Sequence, residues 1–500
     1  MTVTRRSAGF NAAVMTAAEI VGKVATLAYT LIAARALAPD AFGAIALALA
    51  FAGLLQAFPS WGFDALLVQR ASADPSNVAA YLSRTLAIRF AIAVPLFVVG
   101  GALLSMSRPN GQARWALILV LLATLGDLYG DAIRSTAAAS QDQSGVALAL
   151  AVQRVAACGF ALALLAANVS AVSVAAGYFL GSLVGAAAAW RACRRLGVRF
   201  DRELISRESL REWGSASWPL GINLILGYLL FRLDAVLLGW LTSDADVAAY
   251  NVAYRLFEAG LVLSWTVGRA VLPAMSEAGD EDGVRRGVST AIGTLSFLYG
   301  PLVVVFAVEA SSVIRTMFGD DYVATSRTAL LWLAAAPLVF ALAQNLGYGL
   351  LARNGTRQLL IAGVIAAVVN VAINVAVITS LKGSGAAAAT LISYVVEASV
   401  IGYFLVRQRC LPRLVPVIAA PAVASIAMAA VMVVLDLTLV FNVLAGGLVF
   451  LAVWVGASRW APEESITLLE PMRSWIARMP IVGHLAGPRR SRDLVEENAS

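Results

Sequence analysis

The stretch GYLLFRLDAVLLGW (residues 227–240) is apolar enough to enter a lipid bilayer, yet it carries Arg232 and Asp234 with no loop-forming residue beside them. A charged side chain at the centre of a membrane-spanning helix costs about 2.5–3.5 kcal/mol on insertion scales, so it normally faces a partner or a water-filled cavity. The two charges lie two positions apart, which places them about 200° apart around a helix. They cannot share one face, so we expect one to face a cavity and the other to contact a neighbouring helix.

The composition of the whole chain agrees with a membrane location. Of the 500 residues, 60% are hydrophobic and 13% are charged, whereas about 25% of residues are charged in a typical soluble domain. Apolar runs of 18 or more residues recur from end to end, and each is long enough to cross a hydrocarbon core of about 30 Å. The sequence therefore predicts an all-α polytopic membrane protein.

Hydropathy and helix-breaking residues predict about fourteen transmembrane helices. The first run exceeds 20 residues, longer than the core of a signal peptide, so we expect it to be retained as helix 1. The predicted ranges are 10–33, 41–60, 79–105, 113–137, 146–167, 171–190, 214–240, 246–272, 287–309, 324–351, 357–380, 384–406, 414–435 and 438–458.

The basic residues are distributed unevenly between the two sides that this helix count defines. The side of the N-terminus holds 24 of the 37 lysines and arginines, and the opposite side holds six. By the positive-inside rule both termini are expected in the cytoplasm. This asymmetry also accounts for the net charge of +7, so nucleic acid is not an expected partner.

Two pairs of segments repeat weakly at nearly the same spacing. PDAFGAIALA (39–48) aligns with ADVAAYNVAY (245–254), and DALLVQRAS (64–72) aligns with RAVLPAMSEA (269–278). The spacing predicts two pseudo-symmetric six-helix halves plus two C-terminal helices. The expected boundaries are 1–192 for the N-terminal half, 193–213 for a basic cytoplasmic linker, 214–408 for the C-terminal half, 409–458 for helices 13 and 14, and 459–500 for a cytoplasmic tail.

Three shorter segments carry expectations of their own. Gly177, Gly181 and Gly185 form a small-xxx-small ridge on predicted helix 6, which allows another helix to approach closely. Residues 203–213 are expected to form a short surface helix. The tail segment PEESITLLEPMRSWIARM has apolar residues at helical spacing and is expected to lie in the membrane interface.

Several kinds of catalysis are excluded by missing motifs. The chain has no GxxxxGK[ST] phosphate loop and no HExxH pair, and its only histidine is His484 in the tail. The three cysteines, Cys158, Cys193 and Cys410, match no metal or disulfide framework. The predicted outer loops are too short for a sugar-transferring site. We therefore expect a transporter that is not an enzyme and has no metal or cofactor.

The charges inside the predicted helices are the candidate functional residues. Cations slightly outnumber unpaired acids at this depth, and the planar guanidinium of arginine suits phosphate oxygens, which favours an anionic ligand. The candidate cavity residues are Arg232, Arg255, Lys23, Arg89 and Arg154. The candidates for ion coupling or helix bracing are Asp234, Glu19, Glu258, Asp127 and Asp131.

Two long passages resemble a known family. RALAPDAFGAIALALAFAGLLQAFPSWGFDALLVQR (35–70), and the region from WPLGINLILGYLLFRLDAVLLGWLTSDADVAAYNVAYRLFE to VLPAMSEA (218–278), resemble the polysaccharide (O-antigen type) flippases of the multidrug/oligosaccharidyl-lipid/polysaccharide exporter superfamily. The resemblance extends over essentially the whole chain in element order. The family's Arg-x-Asp falls on Arg232 and Asp234, and its Tyr-x4-Arg falls on Tyr250 and Arg255.

The resemblance implies a pair of six-helix halves with a central cavity lined by helices 1, 2, 7 and 8. It implies that the chain flips an undecaprenyl-pyrophosphate-linked oligosaccharide across the bacterial cytoplasmic membrane, by alternating access, for surface polysaccharide biosynthesis. The expected partners are the lipid-linked oligosaccharide and membrane lipid, with a polysaccharide polymerase and chain-length or export proteins as further candidates. Of the two charges in helix 7, we expect Arg232 to face the cavity.

Three alternatives remain open from the sequence. A lipid II (peptidoglycan precursor) flippase of the same superfamily would also have a cationic cavity. A drug/cation antiporter would require acids without matching cations, which Arg232, Arg255 and Lys23 disfavour. A membrane polymerase or ligase is disfavoured by the short outer loops.

Overall fold

A computed structural model describes residues 8–106, 111–139, 143–195, 197–278 and 280–477. Helices account for nearly all of these residues, and no strand forms among them. The helices are α1 (Ala8–Ala36), α2 (Pro39–Ser60), α3 (Phe63–Ala73), α4 (Val78–Met106), α5 (Gly111–Ala139), α6 (Gln143–Ala167), α7 (Ala171–Arg195), α8 (Arg207–Leu241), α9 (Asp244–Ala278), α10 (Glu281–Val308), α11 (Ala310–Phe318), α12 (Val323–Leu333), α13 (Ala336–Ala352), α14 (Thr356–Arg407), α15 (Leu414–Leu435), α16 (Leu439–Ala457), α17 (Glu463–Ile466) and α18 (Glu470–Ala477).

The predicted all-α fold with about fourteen membrane-length helices is confirmed. Among the described residues, eleven helices are long and apolar enough to cross a membrane, and α14 is one of them. Lys382 has a positive φ of 49°, so α14 consists of two helices joined at a sharp kink, as the predicted ranges 357–380 and 384–406 require. The long helices α1 and α9 complete the series of fourteen.

The chain divides into two compact units. The first contains residues 1–251 together with 378–383, and the second contains residues 252–377 and 384–500. This division follows the contacts between residues and does not test whether the two predicted six-helix halves repeat one another. The predicted boundaries at 192, 213, 408 and 458 therefore stay predictions.

In the first unit, a break after α2 separates a helix that the sequence did not predict. Trp61 and Gly62 both have positive φ values, 36° and 71°, which end α2 and begin α3 in a new direction. Gly62 packs against α8 so closely that a Cβ there would lie 2.5 Å from the Cβ of Leu220. Glycine is required at this position by its conformation and by this close approach.

The turn between α3 and α4 is fixed by one carboxylate. Ser76, Asn77 and Tyr81 all donate hydrogen bonds to Asp74. The hydrogen bonds from Ser76 and Asn77 lower the pKa of Asp74 to about 2. The turn is therefore held by an ionised carboxylate at neutral pH.

Residues 197–206 are held against α4 rather than forming a free connection. The backbone N–H of Asp201 donates to Ser83 at 2.9 Å, and the indole N–H of Trp213 donates to Thr85 at 3.0 Å. The expected short surface helix over 203–213 is wrong, because Ser206 caps a single helix that runs from Arg207 to Leu241. Ser206 and Ser209 exchange the two hydrogen bonds of a capping box, which starts this helix before the apolar residues begin.

The second unit has two cores. One joins α9, α10, α13 and α14 around Tyr299, which is fully buried and donates to the carbonyl of Gly260 at 2.8 Å. The other joins α10, α15 and α16 around Phe450 and Trp454.

The tail segment packs onto α10 in its first part. Ile466 and Leu469 are buried in the second of these cores, and Thr290 donates to the carbonyl of Glu464 at 2.6 Å. At Gly293 a Cβ would lie 2.1 Å from the carbonyl oxygen of Ser465, so the tail backbone contacts α10 directly. The expected interfacial segment is thus anchored to protein up to Leu469, and its residues after 477 lie outside the described residues.

Candidate functional site

The ten predicted site residues lie on α1, α4, α5, α6, α8 and α9. Arg255 and Glu258 belong to the second unit, and the other eight belong to the first. The sites of the two units are therefore described separately.

Arg232 and Asp234 of α8 differ sharply in their surroundings. Asp234 is 1% exposed and accepts a hydrogen bond from the hydroxyl of Tyr250, near the start of α9. Arg232 is half-buried, and its side chain lies along α2, with Nε 3.6 Å from the position of a Cβ at Gly53. The acid therefore connects α8 to α9, while the guanidinium extends across the surface of α2.

Asp127 of α5 is the centre of a buried polar group on three helices. Gln153 of α6 and Tyr178 of α7 donate hydrogen bonds to its carboxylate at 2.5 Å and 2.8 Å. The hydroxyl of Ser182, one turn further along α7, lies 2.9 Å from the same carboxylate. Neutral donors thus satisfy this acid, which is 7% exposed.

Asp131 continues the group one turn further along α5. It forms an ion pair with Arg134 and accepts a hydrogen bond from Gln56 of α2 at 3.3 Å. Arg134 in turn donates to the side-chain oxygen of Gln153 at 3.4 Å. The amide of Gln153 therefore links the two carboxylates of α5 through its donor and its acceptor.

Arg89 of α4 is fully buried, and its two terminal nitrogens bind groups on α3 and α5. Its guanidinium contacts the carboxylate of Asp64 on α3 at 2.5 Å and donates to the carbonyl of Leu128 on α5 at 3.0 Å. The hydroxyl of Ser135 donates to the other oxygen of Asp64 at 2.9 Å. This ion pair fastens α3 and α4 to α5.

Arg154 of α6 packs against α1 at Gly22, the residue that precedes Lys23. The Cγ of Arg154 is 3.8 Å from the position of a Cβ at Gly22, and its guanidinium lies 5.9 Å from the centre of the Tyr178 ring. Arg154 is half-buried and Lys23 is exposed. Glu19 belongs to α1, but its side chain lies outside the described part of the structure.

In the second unit, Arg255 and Glu258 form an ion pair on α9. The two groups are 2.6 Å apart, and their side chains are 12% and 20% exposed. Two turns further along α9, Ser264 donates to Gln344 of α13 at 2.6 Å and receives a hydrogen bond from Asn345 at 3.3 Å. A second set of polar groups therefore joins α9 to α13.

Sequence reasoning missed the neutral members of these groups. Gln56, Gln153, Tyr178 and Ser182 bind the predicted carboxylates, and Asp64 is the partner of Arg89. The available signal was an amide or hydroxyl side chain inside an otherwise apolar helix. It does not reveal which carboxylate each group contacts, because the partners lie on other helices.

Among the charged residues described above within the helices of the first unit, the acids are buried or paired with cations, whereas several cations keep exposed surface. Asp127 and Asp234 are buried, and Asp64 and Asp131 are engaged in ion pairs. Lys23, Arg154 and Arg232 all keep exposed surface.

Two family models match the chain. The model described as "Polysaccharide biosynthesis protein" matches residues 9–278, and the model described as "Lipid II flippase MurJ" matches residues 145–458. A curated relative, the "Probable low-salt glycan biosynthesis flippase Agl15" of Haloferax volcanii, is 25% identical over 187 residues. That match covers 37% of this chain and 39% of the relative.

Solved structures show the same fold. A structure titled "Lipid II flippase MurJ, inward closed conformation" has a TM-score of 0.75 at 14% identity and covers 89% of this chain and 98% of its own. An inward-facing multidrug-resistance MATE family transporter of the MOP superfamily has a TM-score of 0.60 at 15% identity, with coverages of 78% and 94%.

Long apolar helices, eleven of them apolar enough to cross a membrane within the described part of the chain, hold charged groups between them and define a multi-pass membrane protein with the fold of the multidrug/oligosaccharidyl-lipid/polysaccharide exporter superfamily. Both family models cover more than half of the chain. The chain belongs to the polysaccharide biosynthesis protein family, and it also matches the lipid II flippase MurJ family model over residues 145–458.

Proposed function

We propose that the chain is a flippase that moves an undecaprenyl-pyrophosphate-linked oligosaccharide from the cytoplasmic to the outer leaflet of a bacterial cytoplasmic membrane. Its family and its glycan-flippase relative support a lipid-linked glycan as the class of substrate. In this proposal both termini are cytoplasmic and the protein transports its substrate without chemical change.

The observation that carries this proposal is the difference in exposure between the cations and the buried acids within the helices of the first unit. A pyrophosphate group is the anionic part of a lipid-linked oligosaccharide, and arginine binds its oxygens through paired N–H donors. Arg154 and Arg232 keep exposed surface, whereas Asp127 and Asp234 are buried. A cationic drug requires exposed acids for its binding, whereas the groups that keep exposed surface here are cations.

We assign the predicted residues different roles within this proposal. Arg232, Arg154 and Lys23 bind the pyrophosphate directly. Arg89 supports the site indirectly, since its charge is neutralised by Asp64. Arg255 forms an ion pair with Glu258. We therefore assign it the role of a hydrogen-bond donor to the substrate rather than that of an unpaired positive charge.

Transport follows by alternating access. The pyrophosphate binds the cations on the cytoplasmic side, the glycan occupies a hydrated interior, and the prenyl chain stays in lipid. A conformational change then exposes the cations to the other side, where the headgroup is released.

The proposal is tested in proteoliposomes that contain a fluorescent undecaprenyl-pyrophosphate oligosaccharide, with an impermeant quencher reporting the outer leaflet. Charged hydrogen bonds are worth about 1.5–3 kcal/mol each, so Arg232→Gln is expected to reduce the flipping rate by about ten-fold or more. Arg232→Lys keeps the positive charge but loses the paired N–H donors of the guanidinium, so its flipping rate is expected to lie between those of the wild type and Arg232→Gln.

Arg285→Gln is the matched control, because Arg285 is an exposed arginine whose ion pair with Asp282 lies on the surface. Its flipping rate is expected to equal that of the wild type. Unchanged flipping in both the Arg232→Gln and the Arg154→Gln variants, at equal protein levels, would refute the role of the cations.

Lipid II is the second candidate substrate, and the match of the MurJ family model to residues 145–458 favours it. Both candidates carry a polyprenyl pyrophosphate, so they differ in the group attached to it. Flipping of labelled lipid II in the same vesicles, at a rate above that of the oligosaccharide, would favour this second candidate.

A further inference from the structure

A cavity of about 270 Å³ lies in the first unit. Leu82 and Leu86 of α4 and Ile133 of α5 form apolar walls, while Arg194 and Arg199 lie at its edge. The remaining lining residues are Tyr129, Trp190, Cys193, Val198 and Phe200. Its size approaches the lower end of ordinary ligand pockets, about 300 Å³.

The cavity lies at one edge of the predicted membrane region. α7 ends at Arg195, and α4 begins at Val78, one turn before Leu82. Residues 198–200 close the cavity, and their position is fixed by the hydrogen bond from Asp201 to Ser83 and by the thiol of Cys193, which contacts the carbonyl of Val198 at 3.4 Å. The cavity is therefore a formed site rather than a gap beside a loose segment.

The two arginines at its edge carry charge that protein does not neutralise. Both are exposed, and no carboxylate pairs with Arg194 or Arg199 in the part of the chain that the structure describes. The guanidinium of Arg194 lies over the ring of Trp190 at 4.5 Å, which holds it in place. The nearby carboxylate of Asp201 accepts the backbone N–H of Glu203 at 2.9 Å.

An apolar stripe on α7 leads to this edge. Leu183 and Trp190 are seven residues apart, so they share one helix face, and they are 47% and 48% exposed. Arg194 follows one turn later on the same face. A molecule that lies along this stripe would have apolar contacts at one end and positive charge at the other, with Phe200, which is 54% exposed, beside the charge.

We propose that this cavity binds the headgroup of an anionic diacyl phospholipid. Arg194 and Arg199 bind the phosphate, the aromatic rings of Trp190 and Phe200 pack on the glycerol and the first acyl carbons, and an acyl chain follows Leu183. Basic pockets between helices at the membrane surface are suited to anionic headgroups. None of the lining residues of this cavity is among the candidate cavity residues for the transported substrate.

Native mass spectrometry of the detergent-purified full chain tests the proposal, with phosphatidylglycerol and phosphatidylcholine as probes. The wild type is expected to prefer phosphatidylglycerol. The R194Q/R199Q variant is expected to lose about ten-fold or more of this affinity, which corresponds to about 1.4 kcal/mol. V198F fills the cavity without changing any charge, and it is expected to reduce binding as well.

R207Q/R211Q is the matched control, because these two arginines are exposed at the start of α8 and do not line the cavity. It should bind phosphatidylglycerol as the wild type does. Equal loss in this control would assign the binding to general surface charge, and full binding by V198F would exclude the cavity. Displacement of the lipid by millimolar inorganic phosphate would instead identify a site for soluble phosphate. Flipping is not part of this measurement, so its outcome is independent of the proposed function.

Discussion

Single residues show how an apolar helix tolerates an acid. Asp127 and Asp234 are buried, and hydroxyl or amide donors from neighbouring helices satisfy their carboxylates. An acid without such donors would face the full cost of desolvation. At both positions the acid lies on one helix, and donors from another helix offset the free-energy cost of burying its carboxylate.

The contact between Asp234 and Tyr250 yields a prediction about stability. Tyr250→Phe removes the hydroxyl donor from a buried carboxylate, which is expected to cost about 1–3 kcal/mol. In an Asp234→Asn background the same change should cost less, because the charge that required the donor is gone. Thermal unfolding in detergent measures both effects.

Tyr403→Phe is the control for this comparison, since Tyr403 is 51% exposed. It should leave the melting temperature unchanged. Equal losses from Tyr250→Phe in both backgrounds would show that the hydroxyl does not act through Asp234. Full stability of Asp234→Asn together with loss of flipping would favour ion coupling over bracing.

At the scale of elements, the helix pair α6 and α7 is held together by the glycine ridge. A Cβ at Gly177 would lie 2.5 Å from the backbone of Ala161, and a Cβ at Gly181 would lie 2.4 Å from the Cβ of Ala157. In a membrane, such close approach provides the packing that lipid-exposed apolar surface cannot. The same pair carries Gln153 and Tyr178, so this packing also positions the donors to Asp127.

Gly177→Ala is therefore expected to separate α6 from α7 and to lower the melting temperature. Its clash is with backbone, which no side-chain rotation can relieve. Gly159→Ala is a matched change on the other face of α6, where a Cβ would meet nothing within 4 Å. It should be neutral or slightly stabilising, because alanine favours helix more than glycine does. Equal melting temperatures for the two variants would contradict the ridge.

At the scale of the whole molecule, the predicted set of about fourteen membrane-spanning helices and the distribution of arginines make a prediction about orientation. An even number of crossings places both termini on one side, and the arginine-rich side is expected to be cytoplasmic. Single cysteines in a cysteine-free background test this with an impermeant maleimide applied to intact cells. Leu437→Cys, in the turn between α15 and α16, should react.

Glu277→Cys, at the exposed end of α9, should react only after the cells are opened. Labelling of both positions in intact cells, or of Glu277→Cys alone, would overturn the expected orientation. The level of labelled protein is compared with that of the unlabelled variant to confirm that each one is inserted.

The sequence predicted helices well where a run was apolar and bounded by breakers. It missed α3, since Trp61 and Gly62 turn the chain without a polar loop. It also divided α8 at residue 213, where the polar first turns of this helix give way to its apolar part. It placed the ridge at Gly177, Gly181 and Gly185 correctly. The partner surface on α6 could not be read, because residue spacing within one helix does not specify its neighbour.

The sequence alone predicted the membrane class, the approximate number of long helices and the positions of their charges. These features depend on the hydropathy and charge of consecutive residues, which determine whether a segment can enter a bilayer. The tertiary structure decided the partners of those charges. It buried Asp234 against Tyr250, supplied Gln153 and Tyr178 as donors to Asp127, paired Arg89 with Asp64, and left Arg154 and Arg232 half-buried. Each of these outcomes depends on residues distant in sequence, which only the packing of helices brings together.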